Sequence, residues 1–310
     1  DFATATAAAA AGGITTILEM PISSPSVHDR ASLVARAAAV DPKAYVDFGL
    51  YAGAADDDLP GIAEAAAAGA IAYKTFRNPP PPGREAEFVG LCAPEPAAYL
   101  RALEAVARTG LRSTVHAEDA SMIARNAAEL RAAGRGDPIT HALSRPPVVE
   151  QASVAQSLEL ARAAGARIGI AHCSTPTAVD LVTRARADGV DATVETCPHY
   201  LALTEAEIER HGPYAKINPA LRRAELVEGL WERVARGEVD YLGSDHSPFL
   251  VEEKEPFWQD MWGASPGAPG LESLLPLMLT AVAERRISLE RMVELTAGTA
   301  ARVFGLPAKG

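Results

Sequence analysis

The sequence has 310 residues, of which 48% are hydrophobic and 22% are charged, and its formal net charge is −11. This size and balance are typical of one large globular domain, and the negative charge argues against nucleic acid as a partner, since phosphates need a basic surface. No apolar run reaches the roughly 18 residues of a membrane span. The widely spaced Cys92, Cys173 and Cys197 predict reduced thiols in a cytoplasmic protein.

Apolar runs rich in β-branched residues alternate along the chain with alanine-rich stretches. Such alternation predicts βαβ units and a parallel sheet. The helical stretches include residues 1–11, 57–68, 97–109, 149–164 and 178–188. The predicted strands are residues 14–19, 45–51, 70–76, 112–116, 167–172, 192–196 and 241–244.

Seven predicted strands are one fewer than a closed (β/α)8 barrel contains. The sequence also begins within a predicted helix, at Asp1. We therefore predict an α/β fold, a TIM (β/α)8 barrel whose first strand is missing from this sequence, with residues 1–310 as one barrel domain. Open strand edges promote aggregation, so we expect the protein in solution to be longer than this sequence.

Four polar residues stand at or just beyond the predicted ends of strands. They are Lys74, His116, His172 and Asp245. Taken singly, each is more readily explained as a solvated or hydrogen-bonded residue. Together they predict a metal site, because active sites of these barrels lie where the carboxyl ends of the strands converge. Imidazole nitrogen and carboxylate oxygen suit zinc and similar divalent ions.

Lysine needs a separate explanation, because an ammonium group has no lone pair to offer a metal. Burial lowers the pKa of a lysine and favours the neutral amine. A neutral amine can add CO₂ to give a carbamate, an anion with two oxygens that can bridge two metal ions.

Several motifs, in this order, resemble those of the cyclic amidohydrolases, the family of allantoinase, dihydroorotase and dihydropyrimidinase (hydantoinase). The resemblance implies hydrolysis of a small cyclic amide by two divalent metal ions, taken to be zinc, in a homo-oligomer (dimer or tetramer). It implies that carboxylated Lys74 bridges the metals, that His116 and His172 bind the second, and that Asp245 binds the first and shuttles the proton. The motifs are AAAAAGGITTILEMP, GAIAYKTF, VHAED, RPPVVEQ, IAHCST, VETCPHYL, YAKINPALR and GSDHSP.

The family also has an HxH pair on its first strand and a small β-sandwich built from both chain ends. This sequence contains neither, in agreement with the expected missing strand. Asn218 resembles the substrate-contacting loop of the family, although a turn residue before Pro219 is an equal alternative. Cys197 and His199 are candidates for substrate contact, with packing of a strand end slightly favoured. Arg145 is predicted to anchor a loop.

Allantoin is the first choice of substrate, because VETCPHYL, SDHSP and the Trp262-Gly263 segment resemble allantoinases. PGLESLLPL favours dihydroorotase or hydantoinase instead. Arg222 is the one arginine that suggests itself for an orotate carboxylate, and a loop salt bridge is an equal alternative. A non-catalytic scaffold protein of the same fold is a further alternative, which would be distinguished by missing metal ligands.

Overall fold

The computed structural model describes residues 1–309 and contains one sheet of seven parallel strands. Each strand pairs with the next one along the chain, so the order in the sheet is the order in the sequence, as in a curled barrel sheet. The strands are β1 (Thr16–Glu19), β2 (Asp47–Gly53), β3 (Ala72–Phe76), β4 (Arg112–His116), β5 (Arg167–Ile170), β6 (Ala192–Thr196) and β7 (Tyr241–Leu242).

Helices follow the strands and cover the sheet. They are α1 (Phe2–Ala11), α2 (Arg30–Val40), α3 (Leu59–Ala67), α4 (Pro96–Thr109), α5 (Ala120–Ala132), α6 (Thr140–Ser144), α7 (Pro147–Ala164), α8 (Pro176–Ala187), α9 (Pro198–Ala202), α10 (Ala206–His211), α11 (Ala224–Ala235), α12 (Leu274–Ala283), α13 (Leu289–Val293) and α14 (Thr299–Val303). Among residues 1–309, no helix is long and apolar enough to cross a membrane.

Local sequence explains where the longer helices begin and end. Proline opens both α4 and α7, where its missing N–H costs no hydrogen bond. Gly110 and Gly165 end these two helices in the left-handed conformation, with φ of 75° and 65°. Strands β4 and β6 are buried over their whole length because helices cover the outer face and side chains fill the inner one.

All seven predicted strands are confirmed, but several boundaries were wrong. The predicted strand ends at 172 and 244 lie beyond the last paired residues, Ile170 and Leu242. His172 and Asp245 have φ of +37° and +45°, so the chain leaves the extended conformation there. Lys74 lies inside β3, two residues before its end, rather than at the end of the strand.

Two helix predictions also need correction. The stretch predicted as a helix from 57 to 68 begins with a 3₁₀ turn at Asp56–Asp58, and its α-helix starts at Leu59. The helix predicted from residue 1 is α1, Phe2–Ala11, and the Asp1 side chain accepts a hydrogen bond from the backbone N–H of Thr4. Gly310, the last residue of the predicted barrel domain, lies outside the described residues.

Candidate metal centre

The four predicted metal ligands come from four strands whose carboxyl ends face the same way. Lys74 points from within β3, and His116 is the last residue of β4. His172 follows β5, and Asp245 follows β7. Lys74, His116 and His172 are buried, and Asp245 is partly exposed. The parallel topology therefore collects these side chains at one end of the sheet.

The two histidines are in direct contact. Nδ1 of His116 lies 3.1 Å from Nε2 of His172, and the ring centroids are 4.8 Å apart. Nδ1 of His172 is buried without a hydrogen-bond partner. Burial lowers the pKa of His172 well below its ordinary value, helped by Lys74 and His116, so its ring is neutral. Neutral imidazoles are the form that binds metals.

Lys74 is a buried cationic group beside acidic neighbours. Burial lowers the pKa of its ammonium, while Glu195 and Asp245 oppose that change. The Phe76 ring lies 5.2 Å from Nζ of Lys74, and 5.3 Å separates the ring centroids of Phe76 and His116. The environment thus favours the neutral amine that carbamate formation requires.

Asp245 lies close enough to Lys74 and His116 for their charges to affect its pKa. Burial raises the pKa of its carboxyl, whereas Lys74 and His116 act to lower it. Its left-handed backbone turns the chain sharply after β7. Lys74 and His116 affect the pKa of both Asp245 and His172, so these two residues lie near both groups.

Two glutamates that the sequence analysis did not single out are part of this pocket. The Oε1 atom of Glu195, on β6, accepts a hydrogen bond from the backbone N–H of His172 at 3.0 Å. A side chain at Gly243 would collide with Glu195, because a Cβ there would lie 2.6 Å from the carboxyl carbon of Glu195. Burial raises the pKa of Glu195 to about 7. The signal that could have found it is a single charged residue in a strand that is otherwise uncharged.

Glu118 is the second of these glutamates, and it has no exposed surface. Its Oε2 atom lies 3.0 Å from Nε2 of His116 and accepts a hydrogen bond from Nη1 of Arg145 at 2.7 Å. Burial alone would raise its pKa, but Arg145 and His116 outweigh burial and hold the pKa at about 2. Arg145 therefore anchors a loop, as predicted, and it does so through an ion pair beside the metal site.

The pocket suits a divalent metal ion in its donor chemistry. Among residues 1–309, no three His, Cys, Asp or Glu side chains converge as a ready-made ligand set. The converging donors are two imidazole nitrogens, and the third nearby group is the Lys74 amine. A lysine can complete such a set only after conversion to an anionic oxygen donor. The residues present therefore fit a metal held in part by a modified lysine.

The predicted substrate residue Asn218 lies in a loop held by buried donors. Nε2 of His141 is 2.7 Å from the carbonyl oxygen of Ile217, and the Tyr200 hydroxyl donates to that of Pro219 at 2.6 Å. Burial, together with the nearby Asp245, raises the pKa of the Tyr200 hydroxyl. Oδ1 of Asn218 is buried without a partner. The loop is therefore rigid and presents one free acceptor.

Cys197 lies between β6 and α9, and His199 is the second residue of α9. Cys197 is fully buried, and burial raises the pKa of its thiol well above the ordinary value. Burial lowers the pKa of His199 to about 4, so its ring is neutral near pH 7. Nε2 of His199 is buried without a partner. Substrate contact by these two residues stays a prediction.

The long segment after Asp245, residues 248–270, is fastened to the body of the protein. Nζ of Lys216 donates to the carbonyl oxygens of Met261, Trp262 and Ala264, at 2.6, 3.3 and 2.6 Å. Nζ of Lys254 donates to two further carbonyls, those of Pro213 and Ser265. Trp262 donates to the carbonyl of Arg135. These contacts hold the segment beside the Asn218 loop.

Replacing Lys216 with Met should release this segment. Methionine keeps the apolar stem but leaves three buried carbonyls without a donor, each at a cost of about 1–3 kcal/mol. The Lys254–Glu255 bond, buried at Lys254 in the native protein, is then expected to become a fast site of trypsin cleavage. Mass spectrometry of the fragments measures this, with exposed Lys43 changed to Met as the control. Equal cleavage in Lys216→Met and the native protein would show that Lys216 does not fasten the segment.

Buried neutral histidine predicts a loss of stability in acid. Burial lowers the pKa of His141 in the folded protein well below its ordinary value of 6.5. At a pH between the lowered pKa and 6.5, the unfolded chain therefore binds more protons than the folded protein. The stabilisation is present above pH 6.5 and is lost as the pH falls. For one such residue the loss by pH 5 is about 2 kcal/mol.

Changing His141 to Gln keeps a donor for the Ile217 carbonyl and removes the titration. The fall in the free energy of unfolding between pH 7 and pH 5, measured with urea, should then shrink by about 2 kcal/mol. His211 is exposed, so His211→Gln serves as the control. An unchanged fall in His141→Gln would mean that His141 is protonated in the folded protein.

Comparisons with known proteins agree with this geometry. No protein-family model matches the chain. An L-hydantoinase from Paenarthrobacter aurescens is 38% identical over 304 residues, which are 97% of this chain and 65% of that protein. An allantoinase from Rubrobacter xylanophilus is 38% identical over 313 residues, covering 100% of this chain and 67% of the relative.

The solved structures that resemble this chain are also hydantoinases. An L-hydantoinase (dihydropyrimidinase) from Arthrobacter aurescens superposes with a TM-score of 0.94 at 37% identity, over 98% of this chain and 66% of that one. A D-hydantoinase superposes with a TM-score of 0.91 at 32% identity, over 100% of this chain and 67% of that one. The chain spans about two thirds of the length of these relatives. It belongs to the cyclic amidohydrolase family, whose barrel fold its sheet shares.

Proposed function

We propose that the protein hydrolyses the ring amide C–N bond of a hydantoin-type substrate at a divalent metal centre held by Lys74, His116, His172 and Asp245. The observation that carries the proposal is the 3.1 Å approach of two buried imidazole nitrogens, with Lys74 and Asp245 in the same pocket. When bound, divalent ions such as zinc polarise an amide carbonyl and make water more acidic.

Lys74 supplies the donor that the set otherwise lacks. Its neutral amine attacks the carbon of CO₂, a C–N bond forms as one C=O π pair moves to oxygen, and one N–H proton passes to water. The product is a carbamate whose single negative charge is shared by two oxygens, which suit divalent ions. The burial of Lys74 favours its neutral amine.

Asp245 is placed to move the proton of the reaction. Its carboxylate takes a proton from the attacking water and returns it to the ring nitrogen as the C–N bond breaks. Burial raises the pKa of Asp245, which brings this base closer to the pH at which it works and so improves proton transfer.

A hydantoin ring is supported over an orotate-like ring. The relatives above are named hydantoinase and allantoinase, and allantoin is itself a hydantoin with a ureido substituent. Arg222, the predicted partner of an orotate carboxylate, is only 3% exposed. Its Nε donates to the Ser174 hydroxyl at 2.9 Å, and its Nη1 donates to the carbonyl of Arg145. These contacts support a structural role for Arg222 over contact with an orotate carboxylate.

Allantoin remains our first choice, and a 5-substituted hydantoin is the alternative, which the relatives favour equally. Oδ1 of Asn218, an acceptor without a partner in the protein, suits a ring N–H. The test is kcat/KM of the zinc-loaded protein on allantoin, a 5-substituted hydantoin, dihydrouracil and dihydroorotate. We expect the hydantoin rings to react at least about 100-fold faster than dihydroorotate. A dihydroorotate value about a hundredfold above that of allantoin would overturn the substrate assignment.

A non-catalytic scaffold role is disfavoured because the four predicted ligand positions carry lysine, histidine, histidine and aspartate, residue types from which a metal site can be built. Such a protein would hydrolyse none of the four compounds even with metal bound. A homo-oligomeric state and a cytoplasmic location stay predictions for the complete protein.

A further inference from the structure

Lys216 lies two residues before Asn218, and its ammonium group is buried. The residue is only 8% exposed. Nζ donates to three main-chain carbonyls, those of Met261, Trp262 and Ala264. An ammonium has three donors, so each of them has one acceptor here. Burying an ammonium costs free energy unless such partners replace the lost water, and this cost points to a role that an apolar side chain would not fill.

The main chain of Lys216 contacts the same segment at its neck. The segment follows Asp245 directly, and it closes on itself where the N–H of Ser247 donates to the carbonyl of Ala268 at 3.0 Å. Beside this closure, the N–H of Gly267 donates to the carbonyl oxygen of Lys216 at 2.8 Å. Lys216 therefore holds the segment at two places, the closure next to Asp245 through its main chain and the more distant part through its ammonium group.

We infer that Lys216 is a positioning residue that fixes the amide of Asn218 relative to the carboxylate of Asp245. The inference rests on the proposed function, in which Asn218 accepts a ring N–H and Asp245 moves the proton. The two groups belong to different loops, and Lys216 binds the Asp245 loop through both its main chain and its side chain. A displacement of about 1 Å between the two groups would move the ring amide away from the base, and such a misplacement costs about 100-fold in rate.

The loop of Asn218 is also held from another side. Nε2 of His141, in α6, and the hydroxyl of Tyr200, in α9, bind the main-chain carbonyls of the two residues that flank Asn218. Neither contact involves residues 248–270. Loss of the Lys216 ammonium should therefore leave the loop folded but free to shift against the segment that follows the proposed base.

A double-mutant cycle tests the inference. Lys216→Met, Asn218→Ala and the pair are compared by kcat/KM of the zinc-loaded protein on allantoin. We expect Lys216→Met alone to lower kcat/KM by about 100-fold, but by less than about threefold when residue 218 is already alanine, because coupled residues do not act independently. A merely structural role of Lys216 would give losses that multiply in the pair. Multiplying losses overturn the inference.

Lys254→Met is the matched control. Lys254 carries a second buried ammonium in the same segment, but its acceptors are the carbonyls of Pro213 and Ser265, away from residues 216–218. We expect its loss of kcat/KM to be the same with asparagine and with alanine at position 218. Equal coupling of Lys254 and Lys216 to Asn218 would assign the effect to loosening of the whole segment and would overturn the inference.

If Lys216→Met does not fold, Lys216→Arg replaces it in the cycle. Arginine keeps the buried charge, but its planar guanidinium cannot donate to three carbonyls from one nitrogen. We expect a smaller loss of kcat/KM that again disappears when Asn218 is alanine. Losses that multiply count against the inference here as well.

Failure of the proposed function has a different signature. A native zinc-loaded protein that opens none of the rings refutes the proposed reaction, and amide hydrogen exchange then carries the test. Lys216→Met should speed exchange in peptides that span residues 217–222 and 261–268, whereas Lys254→Met should speed it only in the second. Unchanged exchange over residues 217–222 in folded Lys216→Met overturns the inference whatever the activity.

Discussion

Replacing Asp245 with Asn is expected to lower kcat for ring opening by about 10²–10⁴-fold, the range attributed to general acid–base catalysis. Asparagine keeps the shape of the side chain but cannot take the proton from water. Because an amide oxygen can still contact a metal, much of the bound metal should remain. Steady-state rates with allantoin, together with metal analysis of the same sample, measure both effects.

Asp188, an exposed residue at the end of α8, provides the matched control. Asp188→Asn makes the same chemical change far from the pocket, and its kcat should equal that of the native protein. A rate for Asp245→Asn within tenfold of native, with metal retained, would show that another group moves the proton.

Replacing Lys74 with Ala should remove most of the bound metal and lower activity by more than about 100-fold. The reason is that residues which merely orient metal ligands already contribute 10–100-fold, and Lys74 is proposed to be a ligand itself. Intact mass of the native protein should show the added mass of one CO₂ on this lysine. Metal content measured by atomic emission gives the second readout.

Short carboxylic acids should restore part of the activity of Lys74→Ala, since they can occupy the space of the carbamate and offer the same oxygens. Lys43→Ala, a change at an exposed lysine, should keep full metal content and rate. Full metal occupancy and full activity in Lys74→Ala would exclude Lys74 as a ligand.

Much of the fold was predictable because its signals are local. Apolar runs of four to seven residues identified every strand, and Gly110 and Gly165 marked the ends of two helices. The ends of β5 and β7 were not predictable, because His172 and Asp245 leave the strand through a left-handed backbone. Side chains of these types give no local signal of that conformation.

The candidate metal ligands were identified from residue types near strand ends, but the residues that contact them were not. Glu118 and Glu195 act through contacts that only the folded chain creates, one with the His116 ring and one with the His172 backbone. The role of Lys216 was hidden for the same reason, since its acceptors lie 45 to 48 residues further along the chain. Arg222 had two equal interpretations until its contacts were visible.

The most direct test of the metal-dependent hydrolysis proposed here is the rate of allantoin and hydantoin ring opening by metal-depleted protein as zinc is added back. The account predicts almost no product without metal and a rate that rises to a plateau near two equivalents of zinc, with Lys74→Ala failing to respond. Equal rates before and after metal depletion would contradict it, as would the absence of any ring opening when the zinc sites are full.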